Sequence, residues 1–169
     1  MTKTLILIPS RMAATRLPGK PLLKINNLSI ISHVFKRAEE AKIGEVVVVT
    51  EDQTILEDIV KNGGRGILTS SNHKTGTDRI FEAYEKLEIK NVDYVLNLQG
   101  DEPNIDKNDI ISLNNFMINN NSEIGTLAAT IQDDKIANNK NVVKVITEKK
   151  LEKNNFPSAL NFTRDNLSK

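Results

Sequence analysis

The sequence contains no cysteine and no tryptophan, and only five phenylalanines and two tyrosines among 169 residues. Without cysteine there is neither a disulfide framework nor a thiolate metal site, which fits a reducing cytoplasmic location. Scarce aromatics remove the stacking platforms on which single-stranded nucleic acids are held. The formal net charge is only +1, so no charge surplus draws the chain to nucleic acid or to an anionic membrane, and neither is expected as a partner. Long apolar runs are missing as well. Residues 5–9 carry apolar character and end in a proline before Arg11, short of the roughly 7–15 residues of a secretory h-region, so no signal peptide is expected. No stretch approaches the roughly 20 apolar residues of a membrane span. Hydrophobic residues at 38% and charged residues at 27% suit a globular protein with a sizeable core.

What is present is an alternation of two patterns. Short Leu/Ile/Val runs at 5–8, 46–50, 67–69 and 94–98 read as buried strands. Between them, Ile31, Val34, Phe35, Ala38 and Ala41 recur at helical spacing, as do Ile55, Leu56, Ile59 and Val60, then Ile80, Phe81, Tyr84 and Leu87. Gly63-Gly64 stops the second helix. A further helix is expected over 110–118, with Asp106 as its cap and Asp109 in its first turn. This alternation predicts an α/β fold: a Rossmann-like, mostly parallel sheet with helices on both faces. After about residue 120 the pattern changes. Residues 126–131 and 142–147 read as strands joined by a polar, flexible-looking 133–141, and a last strand begins at about 160–163. We therefore expect a nucleotide-binding α/β domain over 1–120. Residues 121–169 begin a smaller mixed-sheet part.

In open parallel sheets, ligands bind beyond the carboxyl ends of the strands, where strand order reverses. Right-handed crossovers place the first three strands side by side, and return of the fourth to the first gives the order 3-2-1-4. The loops after the first and fourth strands then flank one crevice. The first of them, PSRMAATRLPGKPL (9–22), carries Arg11, Arg16 and Lys20, with Gly19 and two stiffening prolines. A cationic loop is by default a solvated one; its place at a strand end and its Pro-Gly-Lys-Pro punctuation favour a triphosphate. It is not a Walker A loop, because Ala14 and Pro21 stand where that motif needs Gly and Ser or Thr. Gly63-Gly64-Arg65-Gly66 follows a helix and precedes a strand, so it is no dinucleotide fingerprint.

The second loop, LQGDEP (98–103), sets Asp101 and Glu102 where a phosphate-bound cation would be. Mg²⁺ takes one or two carboxylates plus phosphate oxygens; the plainer reading of Asp-Glu before Pro is a turn or cap. The third, SSNHKTGTDRI (70–80), leads into a helix expected to start at Thr77, as its cap, with Asp78 complementing the dipole. Its Thr-Gly-Thr turn offers groups to frame a base or ribose. His73 reads as a loop residue and His33 as a structural one.

The segments IPSRMAATRLPGKPL (8–22), HKTGTDR (73–79) and NLQGDEP (97–103), followed by NVVKV (141–145) and ALNFTR (159–164), resemble the 3-deoxy-manno-octulosonate cytidylyltransferase family, also called CMP-Kdo synthetases. The resemblance implies a fold of nucleotidyltransferase type and an Mg²⁺-dependent transfer. In it the anomeric hydroxyl of Kdo attacks the α-phosphate of CTP, giving CMP-Kdo and pyrophosphate for lipopolysaccharide synthesis. It implies that Arg11, Lys20 and Asp101 are catalytic, with Arg11 and Lys20 on the phosphates and Asp101 on Mg²⁺. Pro9, Ser10, Gly76, Thr77 and Arg79 would lie along the nucleotide, Gln99 would face the sugar acid, and Arg164 and Arg16 would bind it. CTP and Kdo are thus the expected small-molecule partners, and a homodimer is implied for the full-length family. Departures are visible too. Family members are longer, and their further segment supplies a second metal-ligating Asp, more sugar contacts and much of the dimer interface. Asn161 also stands where an aromatic residue is expected. Two alternatives stay open: a cytidylyltransferase for another acidic sugar, such as sialic acid or amino-substituted Kdo, and an inactive CTP-binding fragment.

Overall fold

In the computed structural model, which describes residues 3–13, 17–152 and 155–165, the chain runs β1 (Thr4–Ser10), a 3-10 turn (Lys20–Leu22), β2 (Lys24–Ile25), β3 (Leu28–Ser29), α1 (Ile30–Ala41), β4 (Gly44–Thr50) and α2 (Gln53–Lys61). It continues through β5 (Gly66–Leu68), α3 (Gly76–Leu87), β6 (Tyr94–Asn97), α4 (Lys107–Asn120), α5 (Asp134–Ala137), β7 (Lys144–Thr147) and β8 (Ala159–Thr163). The main sheet has the order β5-β4-β1-β6, and all three of its pairings are parallel. This is the order expected when right-handed crossovers set the first three strands side by side and the fourth returns to the first, with β1 and β6 meeting at the reversal.

β1 is central, and its alternation explains both layers. Ile6 and Ile8 face one side with Val46 and Val48, packed on Ile31, Val34 and Phe35 of α1, Ile55 and Ile59 of α2, and Ile110 of α4. Leu5 and Leu7 face the other with Val47 and Val49, packed on Ile80 and Ala83 of α3. Leu5, Ile6, Leu7 and Ile8 are fully buried, and burying each such side chain contributes about 1.5–3 kcal/mol. That is why these strands read as continuous apolar runs and not as alternating ones.

Helix starts follow capping chemistry. Ser29 Oγ accepts from Ser32 N at 3.1 Å and donates to Asp58 Oδ2 of α2, so the cap of α1 also ties two helices. Asp106 Oδ1 accepts from Asn108 N at 2.8 Å, as expected for α4. For α3 the expectation is corrected. The helix begins at Gly76 and Thr75, not Thr77, is its cap, in a capping box with Asp78. Thr75 can take that role because its extended backbone turns Oγ1 onto the free Asp78 N–H.

Two small features escaped the periodicity. β2 and β3 form a hairpin whose tip, Asn26-Asn27, has φ of 49° and 66°; two successive left-handed residues are what a tight hairpin turn requires, and Asn tolerates them. His33 Nε2 bonds Ile25 O at 2.8 Å and pins that hairpin to α1.

The chain divides into two compact units, one through Asn114 and the other from Asn115. In the second, β7 and β8 pair antiparallel with an irregularity at Ile146/Thr147. Buried Lys144 donates through Nζ to Asn139 O at 2.8 Å and Arg164 O at 3.0 Å, and Phe116 stacks on Phe156 with centroids 3.8 Å apart. The strand expected at 126–131 is absent. Those residues are exposed, take no regular secondary structure and pair with no strand among the described residues. The expected loop at 133–141 instead holds the single turn α5, capped where Asp133 accepts from Lys135 N. Among the described residues no helix is long and apolar enough to cross a membrane.

Candidate functional site

A cavity of about 320 Å³ lies at the carboxyl ends of β1 and β6, where the topology places ligands. Three segments build it. From the end of β1 come Pro9, Ser10, Arg11 and, beyond the loop, Lys20 and Pro21; from the approach to α3 come His73, Lys74, Thr75, Gly76 and Arg79; from beyond β6 come Gln99, Gly100 and Asp101. A slightly larger hollow of about 370 Å³ sits at the amino end of β4, walled by Phe35, Glu39, Glu45 and Arg65. There Arg65 pairs with Glu45, and none of the loops that follow strands reaches it. Chemistry therefore favours the first cavity over the roomier one.

The loop after β1 is anchored twice. Met12 N donates to Asp52 Oδ2 at 2.7 Å, and Gly19 N closes back on Met12 O at 3.1 Å. Gly19 sits at φ 72°, a left-handed conformation that side-chain-bearing residues rarely adopt. The 3-10 turn that follows lifts Lys20 toward the crevice. On the opposite wall Gly100 approaches β1 so closely that a Cβ there would lie 2.8 Å from Pro9 O. This contact sets the width of the crevice.

Across that crevice Lys20 Nζ meets Asp101 Oδ2 at 2.8 Å, with side chains 33% and 58% exposed. The pair joins the loops after β1 and β6 in one contact. Arg11 is exposed beside it. Ser10 Oγ is buried and has no hydrogen-bond partner among the described residues. A buried hydroxyl left in this way costs about 1–3 kcal/mol unless a ligand or water satisfies it. Gln99 Nε2 donates to Asn97 Oδ1 at 3.0 Å.

Arg79 lines the cavity but is turned inward. It is 3% exposed; Nη1 donates to Thr69 Oγ1 at 2.6 Å and Ser70 O at 3.2 Å, and Nη2 pairs with Glu51. His73, read from sequence as a plain loop residue, pairs with Glu82. The Glu82 carboxyl also accepts from Ser70 N at 2.9 Å and pairs with Lys86 at 2.5 Å. Lys86, then His73 and the Ser70 amide, hold its pKa down, from the ordinary 4.5 to about 2, against a smaller opposing push from burial.

The structure thus gathers Pro9, Ser10, Arg11, Lys20, Gly76, Arg79, Gln99 and Asp101 around one cavity. Thr77 is exposed on the first turn of α3 and is not among the lining residues. Arg16 lies outside the described residues. Arg164 belongs to the second unit, where its Nη1 donates to Asn141 O at 3.0 Å and Lys140 O at 3.4 Å. His73, read as a plain loop residue, and Lys74, which was given no role, also line the cavity, together with Thr75 of the Thr-Gly-Thr turn. Their signal was adjacency to Gly76 in one short loop. No group of three or more His, Cys, Asp or Glu able to hold a metal occurs among the described residues.

Comparison with known proteins bears on the family and the fold. A family model described as cytidylyltransferase matches residues 5–169. The chain is 49% identical over 146 residues to 3-deoxy-manno-octulosonate cytidylyltransferase of Rhodopseudomonas palustris strain BisB18, covering 86% of this chain and 60% of that protein. It is 46% identical over 152 residues to the protein of the same name from Thermodesulfovibrio yellowstonii, again covering 86% and 60%. Among solved structures it is similar to CMP:2-keto-3-deoxy-manno-octonic acid synthetase complexed with CTP, with a TM-score of 0.81 and 33% identity over 98% of this chain and 66% of that one. A cytidylyltransferase from Leptospira borgpetersenii gives a TM-score of 0.61 and 31% identity over 71% of this chain and 50% of that one. The chain spans about 60% of the length of the curated relatives it matches. With the matching model running from within β1 to the last residue, the chain belongs to the cytidylyltransferase family.

Proposed function

We propose that this chain binds CTP in the cavity beyond β1 and β6 and serves the transfer of CMP to Kdo, releasing pyrophosphate. The observation that carries the reading is the Lys20–Asp101 contact. It sets a cation fit for phosphate oxygens beside a carboxylate fit for a divalent ion, at the mouth of a cavity lined by further cations. Kdo as acceptor rests on the relatives of that name.

In this reading Arg11 and Lys20 bind the triphosphate and offset its charge, so that a nucleophile can approach the α-phosphorus. Ser10 Oγ, which has no partner among the described residues, supplies a hydrogen bond to the nucleotide. Gly76 lets the nucleotide come close to the backbone, and Gln99 with Gly100 forms the wall toward the acceptor sugar. The sugar's anomeric oxygen forms a bond to the α-phosphorus as the bond to the pyrophosphate oxygen breaks, and the hydroxyl proton passes to solvent. Catalysis is then by positioning and charge, the usual economy of phosphoryl transfer.

Mg²⁺ fits the donors present. An exposed carboxylate beside a phosphate site would suit an ion that keeps its waters and takes most protein contact through one or two carboxylates. Asp101 would hold it, and the ion would neutralise charge on the phosphates. Arg164 and Arg16 are assigned to the sugar acid, residues 121–169 to the sugar-binding and dimerisation part, and the reaction to the cytoplasm, with the product destined for lipopolysaccharide. Pyrophosphate release by the chain, assayed with CTP, Kdo and Mg²⁺ and with each omitted in turn, tests the whole reading. Release that needs all three supports it. Saturable CTP binding without release reduces it to a nucleotide-binding role, release with sialic acid in place of Kdo changes the substrate, and no CTP binding removes it.

A further inference from the structure

One face of α3 carries three charged side chains at helical spacing, Arg79, Glu82 and Lys86; the first two reach the segment between β5 and α3, and the third reaches the last residue of β5. Arg79 holds Thr69 Oγ1 and Ser70 O, Glu82 accepts from Ser70 N and pairs with His73, and Lys86 Nζ donates to Leu68 O at 3.3 Å. Spacings of three and four residues put such side chains in one column, next to the apolar stripe of Ile80 and Ala83 that packs on the sheet. The column is also cross-braced. Arg79 is fixed from β4's end by Glu51, and Glu82 by Lys86. The segment so held continues directly into His73, Lys74, Thr75 and Gly76, the third wall of the cavity.

We infer that Glu82 and Arg79 are positioning residues that hold this wall in its ligand-ready shape, with Glu82 acting through Ser70 N and His73. Neither needs to touch the ligand. Arg79 is buried with its guanidinium turned to protein acceptors, and Glu82 lies outside the cavity lining. A loop of seven residues with no apolar side chain opens readily unless its backbone is tied. Here both polar groups of the Ser70 backbone are tied, its N–H to Glu82 and its C=O to Arg79. An ordered wall spares the ligand the entropy of organising it, and that appears as affinity.

The inference rests on the reading of the cavity as the CTP site, so its test has one readout that needs no ligand. Amide exchange across 70–76 and CTP affinity are measured for the chain and for Glu82→Ala, Glu82→Gln and, as a control on the exposed neighbouring position, Glu85→Gln. Glu82→Ala is expected to raise exchange at Ser70 and through the loop by about tenfold or more and to weaken CTP binding by a similar factor. Glu82→Gln keeps an acceptor for Ser70 N and is expected to fall between Glu82→Ala and the chain itself. Glu85→Gln is expected to change neither, and the amides of Val47 and Val48 to stay protected in all three. Unchanged loop exchange in Glu82→Ala overturns the clamp. A loosened loop with unchanged CTP affinity overturns its role in binding. If the unsubstituted chain does not bind CTP, the nucleotide reading falls with the affinity half of this inference, and loop exchange alone decides the clamp.

Discussion

Two ion pairs draw on residues that line the same cavity and are built for different work. Lys20 and Asp101 meet with side chains 33% and 58% exposed, whereas Arg79 and Glu51 meet with 4% and 19%. In water-exposed surroundings a pair contributes about 0–1 kcal/mol and exchanges readily for other partners. Lys20 and Asp101 can therefore part, one toward phosphate oxygens and the other toward a cation, at small cost to the fold. A buried charge that loses its partner is strongly destabilising, so Arg79 and Glu51 are committed to each other. The difference separates side chains available to ligand from side chains that maintain the wall, although all four belong to loops and helix starts at the same end of the sheet.

The largest effect is expected from breaking the buried pair. Glu51→Ala leaves the buried Arg79 guanidinium without its carboxylate and should lower unfolding free energy by about 3–5 kcal/mol, read as a shift in the urea midpoint. A midpoint unchanged within error would mean that this pair is no more committed than the exposed one. Next come Lys20→Ala and Asp101→Ala. Each should reduce pyrophosphate release by about 10²–10³ while moving the urea midpoint by less than about 0.5 kcal/mol. Near-normal rates in either variant would remove the role given to that residue.

A smaller effect is expected at the cap of α3. Thr75→Ala removes one side of the capping box and should cost about 1 kcal/mol, seen in the same urea series, with equal stability arguing against the capping assignment. Acid titration gives the finest distinction. The Glu82 pKa is depressed from 4.5 to about 2, so its contribution is complete above about 4.5 and fades as pH falls toward 2. The stability difference between the chain and Glu82→Gln should shrink across that window. A difference independent of pH there would show that charge on Glu82 is not what holds the loop.

Much of this was legible from residues alone, for reasons that differ by element. Runs such as Leu5–Leu7 and Val46–Val49 announced strands covered on both faces, because only such strands can be apolar at every position. Arg11, Lys20 and the Asp101-Glu102 pair stood out because their loops follow strands that topology sets beside one crevice, and the choice of Asp101 over Glu102 came with the family resemblance. The hairpin at Asn26-Asn27 was overlooked because its strands are two residues each, too short for periodicity to register. Residues 126–131 misled because alternation and β-propensity describe a side-chain pattern, while a strand also needs a hydrogen-bonded neighbour. Thr77 was read as the cap and Thr75 holds that place, because two threonines flank one glycine and only backbone geometry chooses between them.

Local chemistry and pattern were thus enough to specify the layered parallel sheet, its strand order, and the loops that carry cations and carboxylates. These depend on short-range spacing and on general rules of chain handedness. Tertiary structure alone decided which charges face the cavity and which are consumed in holding it. Glu51 and Arg79 are 28 residues apart, and Lys20 and Asp101 are 81 apart. Pairings over such separations are set by the packing of α3 against the sheet and by the approach of Gly100 to Pro9. No local pattern records either.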